Sequence, residues 1–192
     1  MTLLIKNGRV IDPATKQDGV ADVLVRDGKI AKVMPDIQDT ADQTVDAGGC
    51  FVMPGFIDLH VHLRDPGFER KETVGSGAAA AAHGGYTTIV AMPNTKPVVD
   101  NADVVNYVHN KAKNITKINV LQAGAITNKM QGLQLAEIEN MVRAGSPAIS
   151  EDGKSVMNAY VLQAAMKLAK QLDIPVLSHC EDQNLVNGGV VN

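Results

Sequence analysis

Two histidines separated by one residue, His60 and His62, are the residues of this sequence best suited to chemistry. They end an apolar segment that the sequence predicts as a strand over residues 55–62. Because side chains at positions i and i+2 of a strand point to the same face, the two imidazoles are expected to converge on one point. Neutral imidazole nitrogens bind zinc and similar ions. We therefore predict a metal site here, against the alternative of two incidental histidines.

Other polar residues follow later predicted strands. Asp152 follows the fourth of these strands and His179 follows the fifth. A carboxylate or an imidazole at such a strand end is expected to face the same site, where either could bind metal. Alternatives remain open: Asp152 before a glycine is typical of a turn, and Glu151 and Lys154 compete with it for a functional role. A lone His179 suits a core position equally well.

Two residues with substrate-binding chemistry lie at the same strand ends. Arg64 comes two residues after His62, and its guanidinium fork matches a carboxylate. The alternative for Arg64 is a structural ion pair with Asp65 or Glu69. Asn94 follows a proline at the end of the second strand, where its amide could bind a carboxylate or a carbonyl. An asparagine after proline is also typical of a turn.

The remaining polar candidates have smaller expected roles. Asp58 shares the parity of His60, so it is expected to orient an imidazole or to make a buried hydrogen bond. His83 and His109 lie in or near predicted helices, and we expect both to be structural or surface residues.

Strands that alternate with helices position these residues. From residue 54 onward the sequence predicts five apolar strands, and the helices between them cover residues 72–83, 101–113, 133–144 and 158–172. This alternation implies a parallel sheet with right-handed crossovers. Both a doubly wound sheet and a (β/α)8 barrel fit. No glycine-rich phosphate fingerprint follows the first strand, which weakens the dinucleotide-binding version.

The first 53 residues have a different pattern. They contain short β patterns without helical periodicity, and Asp27-Gly28 is typical of a hairpin turn. We therefore expect a small β module over residues 1–53 and a second domain over residues 54–192.

Composition argues against several classes of partner. The 192 residues carry a net charge of −3 with dispersed Lys and Arg, which disfavours nucleic acid and anionic membranes. No apolar run approaches the ~18–20 residues that span a bilayer. The N-terminus does not have the pattern of a signal peptide. The two cysteines lie far apart and do not suggest a disulfide framework, so a cytoplasmic protein is expected.

One segment is specific enough to indicate a family. Residues 54–67, Pro-Gly-Phe-Ile-Asp-Leu-His-Val-His-Leu-Arg-Asp-Pro-Gly, resemble the dihydroorotases of the amidohydrolase superfamily. The resemblance continues to residue 72 and through residues 84–88, 92–95, 150–153 and 178–182. Arg64 together with Met92-Pro93-Asn94 favours dihydroorotase over the related hydantoinases and allantoinases.

The resemblance implies a zinc-dependent enzyme that opens and closes the amide ring between dihydroorotate and N-carbamoyl-L-aspartate in pyrimidine biosynthesis. It implies an α/β fold: part of a (β/α)8 TIM barrel of the amidohydrolase type over residues 54–192. A small N-terminal β-sandwich module would cover residues 1–53 and pair with residues from the far C-terminus.

The resemblance also implies roles for individual residues. One or two zinc ions would be bound, the first by His60 and His62 and the second by His179. Asp152 would bridge or approach the metals, at the position where many superfamily members have a carbamylated lysine. The substrate would contact His62 and two further residues, Arg64 and Asn94, which would hold its carboxylate.

The family's remaining metal histidine, its catalytic aspartate and three barrel strands would lie beyond residue 192. The chain is therefore expected to be the N-terminal part of a longer enzyme and to be inactive alone. A homodimer and an association with aspartate transcarbamoylase are expected, without nucleic-acid or membrane partners. Two alternatives remain: another cyclic-amide hydrolase, such as a hydantoinase or an allantoinase, and a non-catalytic homologue that scaffolds a partner.

Overall fold

The computed structural model describes residues 1–186 and 189, and the chain folds as two compact units. The first unit is Met1–Gly55 and the second is Phe56–Asn192. The sequence-based boundary between residues 53 and 54 lies two residues before this division. Within the described residues, no helix combines the length and the apolar character that crossing a membrane requires.

The first unit is one five-stranded mixed sheet in the order β3-β2-β1-β4, with β5 also paired to β1. Strands β1, β2 and β3 are antiparallel, whereas β4 and β5 run parallel to β1. Its strands are β1 (Thr2–Asp12), β2 (Gln17–Arg26), β3 (Lys29–Met34), β4 (Gln43–Asp46) and β5 (Phe51–Val52). The turn between β2 and β3 is Asp27-Gly28, with φ of 51° and 75°, as a tight hairpin requires. The second layer of the expected β-sandwich is not formed by residues 1–55 and stays a prediction.

A buried carboxylate fixes an irregularity in this sheet. The pairing of β1 with β2 shifts register between Ile5 and Gly8, and Asn7 in between has a φ of 63°. Asp22 is 3% exposed and accepts hydrogen bonds from the backbone N–H groups of Asn7 and Ile37, both at 2.9 Å. The hydrogen bond from Asn7 holds the pKa of Asp22 below its ordinary value. The carboxylate thereby satisfies the N–H group of Asn7, which the bulge removes from the sheet, and that of Ile37 after β3.

The second unit alternates parallel strands with helices. Its strands are β6 (Phe56–Val61), β7 (Tyr86–Ala91), β8 (Asn119–Gln122), β9 (Gly124–Ala125), β10 (Ile149–Ser150) and β11 (Val176–Leu177). Its helices are α1 (Val74–His83), α2 (Ala102–Ile115), α3 (Ile138–Arg143), α4 (Ala159–Gln171) and α5 (Gln183–Val186). The strands form two parallel three-stranded sheets, β6-β7-β8 and β9-β10-β11.

One segment passes from the first of these sheets to the second. The sequence predicts a single strand over residues 118–126, and the structure divides it at Ala123 into β8 and β9. Ala123 N donates to Ala91 O of β7 at 3.0 Å, and Gly124 N donates to Ala148 O, next to β10, at 3.0 Å. The buried Gln122 amide bridges the carbonyls of Ala91 and Ala123 at 3.0 and 2.9 Å. The five predicted strands therefore follow one another in space in chain order, all parallel.

Helix starts follow local capping chemistry, with one exception. Thr73 closes a capping box with Ser76 at the start of α1, and Asn101 and Asn158 cap α2 and α4. The prediction of a helix from residue 133 was wrong, because α3 begins only at Ile138. Residues 134–137 are held by backbone hydrogen bonds to other segments. Ala136 N donates to the carbonyl of Ile126 at 3.0 Å, and Glu137 N donates to the carbonyl of Asp100 at 3.1 Å.

Two apolar clusters pack the helices onto these strands. The larger joins α2, α3 and α4 to β10, and the smaller joins α1 and α2 to β7 and β8. The larger contains Val99, Val104, Val105, Ile126, Ile138, Met141, Ile149, Ala165 and Ala169. The smaller contains Leu63, Val74, Ala78, Ile89, Ala91, Val108, Ala112 and Val120. Aliphatic side chains form both clusters.

His109 links α2 to β8 and makes stability depend on pH. Its Nε2 accepts a hydrogen bond from Gln122 N at 3.2 Å. Burial lowers the pKa of His109 below its ordinary value of 6.5, against an opposing hydrogen bond to the Ala144 backbone. A group whose pKa is lowered by folding stabilises the fold above its unfolded pKa of about 6.5, and that contribution is lost as the pH falls below this value towards the lower pKa of the folded state. We expect His109→Gln to flatten the fall in melting temperature between pH 7.5 and pH 5.5.

The exposed His83, at the end of α1, gives the matched control for this change. His83→Gln should keep the wild-type dependence of melting temperature on pH. An unchanged dependence in His109→Gln would contradict the assignment.

Candidate metal centre

The two histidines of the sequence motif lie together at the end of β6. His60 is within the strand and His62 follows it by one residue. Their ring centroids are 5.2 Å apart, with the ring planes inclined at 72°. Asp58 lies on the same strand, where its Oδ1 accepts a hydrogen bond from the backbone N–H of His60 at 3.0 Å. Asp58 therefore supports the backbone of the motif and makes no hydrogen bond to either imidazole.

Asp152, after β10, brings a carboxylate between the two imidazoles. Its Oδ1 lies 3.1 Å from His60 Nε2, and its Oδ2 lies 3.4 Å from His62 Nε2. The side chain of Asp152 is 9% exposed, whereas that of His60 is 51% exposed. One ligand atom from each of these three residues lies within 4.8 Å of the other two. Asp152 lies in a turn, as one of the two alternatives predicts, and its carboxylate also belongs to the cluster.

Asn94, after β7, connects two members of this cluster. Its Oδ1 lies 3.1 Å from His62 Nδ1, and its Nδ2 donates to Asp152 Oδ2 at 3.0 Å. If Nδ1 of His62 donates to this amide oxygen, Nε2 is left unprotonated on the side of Asp152. That tautomer is the one a metal ion requires. Asn94 thus orients the site, and its expected contact with a substrate carboxylate stays a prediction.

His179, after β11, lies at the margin of the cluster. Its Nδ1 is 3.7 Å from Asp152 Oδ1, and its Nε2 is 3.1 Å from Glu181 Oε2. Among the described residues, the compact set of three ligand atoms does not include it. The structure brings His179 to the same carboxylate as His60 and His62, at a longer distance.

The donor set fits a metal ion that takes nitrogen and oxygen ligands, as zinc does. Zinc binds imidazole nitrogen and carboxylate oxygen at ~2.0–2.2 Å in tetrahedral geometry, which places neighbouring ligand atoms about 3.4 Å apart. The two distances from imidazole nitrogen to Asp152 oxygen, 3.1 and 3.4 Å, agree with that spacing. Asn94 adds the hydrogen bond that usually orients a metal-binding imidazole. The residues therefore suit a metal ion with nitrogen and oxygen ligands.

Arg64 lies on the loop that follows His62. Within residues 1–186 and 189, its guanidinium forms no ion pair and no hydrogen bond. The alternative partners are engaged elsewhere: Asp65 pairs with Lys111 at 2.8 Å, and Glu69 accepts from Gly67 N at 2.8 Å. The structural ion pair considered for Arg64 is therefore absent among these residues, which leaves the guanidinium available for another anion.

Glu151 is not one of the three clustered residues, and it bonds the segment that carries Asp152 to residues 126 and 127. It is 2% exposed, and its Oε2 accepts from the backbone N–H groups of Ile126 at 3.1 Å and Thr127 at 3.0 Å. Its other oxygen accepts from the Thr127 hydroxyl. Burial raises the pKa of the Glu151 carboxyl above its ordinary value, against these hydrogen bonds. Lys154 donates to Met130 O at 3.4 Å, so neither competitor of Asp152 joins the three ligand atoms.

The loops after β6 and β7 dock on each other. Lys96 N donates to Pro66 O at 2.9 Å. Gly67 has a φ of 95°, and a Cβ there would lie 2.0 Å from Lys96 O. Only glycine fits this close approach. The loop that carries Arg64 and the loop that carries Asn94 therefore share one backbone contact.

Sequence reasoning missed the buried roles of Asp65 and Glu151. Each was considered only as an alternative, for an ion pair with Arg64 or for the role of Asp152. The sequence offers no local signal for either burial, because a second charged residue adjoins each of them, Arg64 beside Asp65 and Asp152 beside Glu151.

A cavity of about 320 Å³ adjoins Asn94 and Asp152. Its other lining residues are Phe68, Thr95, Val98, Lys129, Met130, Gly153 and Lys154. Its size lies at the lower end of the range for small-molecule sites, ~300–1,000 Å³. The cluster of ligand atoms therefore lies beside space for a small molecule.

Solved structures define the fold class. An L-hydantoinase (dihydropyrimidinase) from Arthrobacter aurescens superposes with a TM-score of 0.83 at 28% identity, over 97% of this chain and 42% of that one. A dihydropyrimidinase from Brevibacillus agri gives a TM-score of 0.78 at 25% identity, over 98% and 42% of the two chains. The chain therefore has the fold of the corresponding part of the hydantoinases.

Sequence relatives narrow this class to one family. A sequence profile described as dihydro-orotase-like matches residues 49–192. The dihydroorotase of Solibacter usitatus is 52% identical over 98% of this chain and 44% of its own length. That of Syntrophotalea carbinolica is 47% identical over 100% of this chain and 45% of its own length. This chain belongs to the dihydro-orotase-like family, and it spans about half the length of these relatives.

Proposed function

We propose that the protein to which this chain belongs is a dihydroorotase, which reversibly hydrolyses the ring amide of dihydroorotate to N-carbamoyl-L-aspartate in pyrimidine biosynthesis. The observation that carries the proposal is the cluster of His60, His62 and Asp152, three ligand atoms within 4.8 Å of one another at strand ends. Membership of the dihydro-orotase-like family supports the substrate.

The proposed architecture is the first part of a (β/α)8 barrel. The six strands of the second unit, β6 to β11, are parallel to their neighbours in the two sheets and follow one another in chain order. In such a barrel, functional residues lie at the carboxyl ends of the strands. His62, Asn94, Asp152 and His179 each follow a strand, which agrees with that position.

We propose that His60, His62 and Asp152 hold a zinc ion, with His179 on a second ion if two are bound. When bound, zinc supplies a Lewis acid that lowers the pKa of water towards ~7 and polarises the ring carbonyl. Asn94 keeps His62 in the tautomer that presents Nε2. His62 also contacts the substrate, and the general acid and base is proposed to lie outside residues 1–192.

Arg64 and Asn94 are proposed to bind the carboxylate of the substrate. The Arg64 guanidinium has no ionic partner among residues 1–186 and 189, and two parallel N–H groups suit a carboxylate. An anchored carboxylate fixes the ring amide relative to the ligand cluster, which contributes to catalysis by positioning. This pairing distinguishes dihydroorotate from hydantoin rings that lack a carboxylate.

Turnover by the full-length protein tests the proposal. We expect the zinc-loaded protein to hydrolyse dihydroorotate with a kcat/KM at least tenfold above that for hydantoin or allantoin. Removal of metal with a chelator should abolish this activity, and added zinc should restore it. Faster turnover of hydantoin, which the structural likeness to hydantoinases would favour, would contradict the substrate. A folded protein without metal and without turnover would indicate a scaffold.

Other features implied by the family resemblance stay predictions. They are the cytoplasmic location, the homodimer, the association with aspartate transcarbamoylase and the inactivity of the 192-residue chain alone.

A further inference from the structure

An ion pair between a buried carboxylate and a partly exposed lysine lies outside the ligand cluster, next to Arg64. The Asp65 side chain is 0% exposed, and its Oδ2 lies 2.8 Å from Lys111 Nζ of helix α2. Its Oδ1 accepts a hydrogen bond from the Tyr107 hydroxyl at 3.1 Å. Lys111 Nζ also donates to that hydroxyl at 2.9 Å. The backbone N–H of Val74, at the start of α1, lies 3.3 Å from Asp65 Oδ2. Two helices thus converge on one carboxylate.

Arg64 is held in an unfavourable backbone conformation between two buried neighbours. Its φ is 58°, a left-handed value that a non-glycine residue adopts only when the surrounding structure enforces it. Leu63 is 3% exposed within the smaller apolar cluster, and Asp65 is 1% exposed within the ion pair. The conformation of Arg64 therefore depends on both anchors.

The contribution of this ion pair to stability alone does not explain its position. Solvent screens the attraction on the side of Lys111, which is 33% exposed, and the burial of Asp65 carries a desolvation penalty, so the ion pair adds little net stability. An ion pair with several hydrogen bonds does specify one geometry. The hydrogen bond from Lys111 to Asp65 raises the pKa of Lys111, and a second hydrogen bond to Tyr107 adds to this effect. Lys111 therefore stays charged at neutral pH.

We propose that Lys111 is a positioning residue for substrate binding: through Asp65 it fixes the loop that presents the Arg64 guanidinium to the substrate carboxylate. Tyr107 assists by holding the other carboxylate oxygen. This inference rests on the proposed function, because it concerns recognition of the substrate carboxylate. It assigns a role in that recognition to Lys111 of helix α2, which belongs neither to the ligand cluster nor to the cavity beside it.

Steady-state kinetics of the zinc-loaded full-length protein with dihydroorotate tests the inference. We expect Lys111→Met to raise KM roughly tenfold while kcat stays within about threefold, because a displaced anchor weakens substrate binding. Zinc content should remain that of the wild type. Lys111→Arg, which keeps the charge, should restore most of the KM. Lys113→Met removes the same charge from an exposed position of the same helix and should leave KM unchanged.

Each other outcome has a defined meaning. A folded Lys111→Met variant with wild-type KM would overturn the inference, as would a loss of kcat and zinc at constant KM. If Lys111→Met does not fold, Tyr107→Phe decides, since Tyr107 is 43% exposed and its substitution removes a single hydroxyl. A two- to threefold higher KM supports the inference and an unchanged KM overturns it. Absence of dihydroorotate turnover in the wild type would instead contradict the proposed function.

Discussion

Replacing His60 with Asn is expected to lower kcat/KM for dihydroorotate by a thousandfold or more and to reduce the bound zinc. A bound metal ion supplies several kcal/mol of transition-state stabilisation, and ~4 kcal/mol corresponds to about a thousandfold in rate. His60 contributes one of the three ligand atoms of the cluster. Kinetics together with elemental analysis of the full-length variant measures both effects.

A purely structural role for His60 predicts a different result. The side chain is 51% exposed, and its imidazole has one polar contact among the described residues, with Asp152 at 3.1 Å. Loss of one such half-exposed contact would cost less than about 1 kcal/mol of stability and would leave turnover intact. His83→Asn is the matched control, because His83 is exposed at the end of α1. A His60→Asn variant with normal zinc content and turnover would refute the metal site.

Replacing Glu151 with Ala is expected to lower the free energy of unfolding by about 3–5 kcal/mol. The change leaves three buried donors without their acceptor: the N–H groups of Ile126 and Thr127 and the Thr127 hydroxyl. Each unsatisfied donor costs at least about 1 kcal/mol, and a single substitution rarely costs more than about 5 kcal/mol. Because Asp152 is the next residue, turnover should fall as well. Urea denaturation and kinetics of the full-length variants measure the two effects.

Two further variants define the role of Glu151. Glu151→Gln keeps an acceptor oxygen and should lose less stability than Glu151→Ala. Glu139→Ala removes an exposed carboxylate whose partner is Arg143 at 3.3 Å, and it should change stability by less than about 0.5 kcal/mol. Equal stability of Glu151→Ala and Glu139→Ala would show that the buried hydrogen bonds contribute little.

The site could be located from the sequence because its main signal is local. The period of two along a strand predicts that His60 and His62 share a face, and the structure brings their rings within 5.2 Å. The apolar runs also predict where the strands end. These predicted ends place Asn94, Asp152 and His179 at the same edge of the sheet as the two histidines. The metal itself and the role of each residue toward substrate stay predictions.

What the sequence did not predict depends on contacts between distant segments. Asp65 resembles a turn residue before Pro and Gly, and only the packing of α2 brings Lys111 within 2.8 Å of it. The start of α3 was misplaced because residues 134–137 hydrogen-bond to Ile126 and Asp100 in place of forming a helical turn. Local propensity contains no information about either partner.

The docking of the loops after β6 and β7 constrains the lengths that these two loops can have. The two loops are held together by the hydrogen bond from Lys96 N to Pro66 O, and they approach so closely that Gly67 has no space for a side chain. An inserted residue in either loop would displace both Arg64 and Asn94. In this chain, insertions that leave Arg64 and Asn94 in place are therefore expected only in other connections, and we expect the spacing from His62 to Gly67 to tolerate no change.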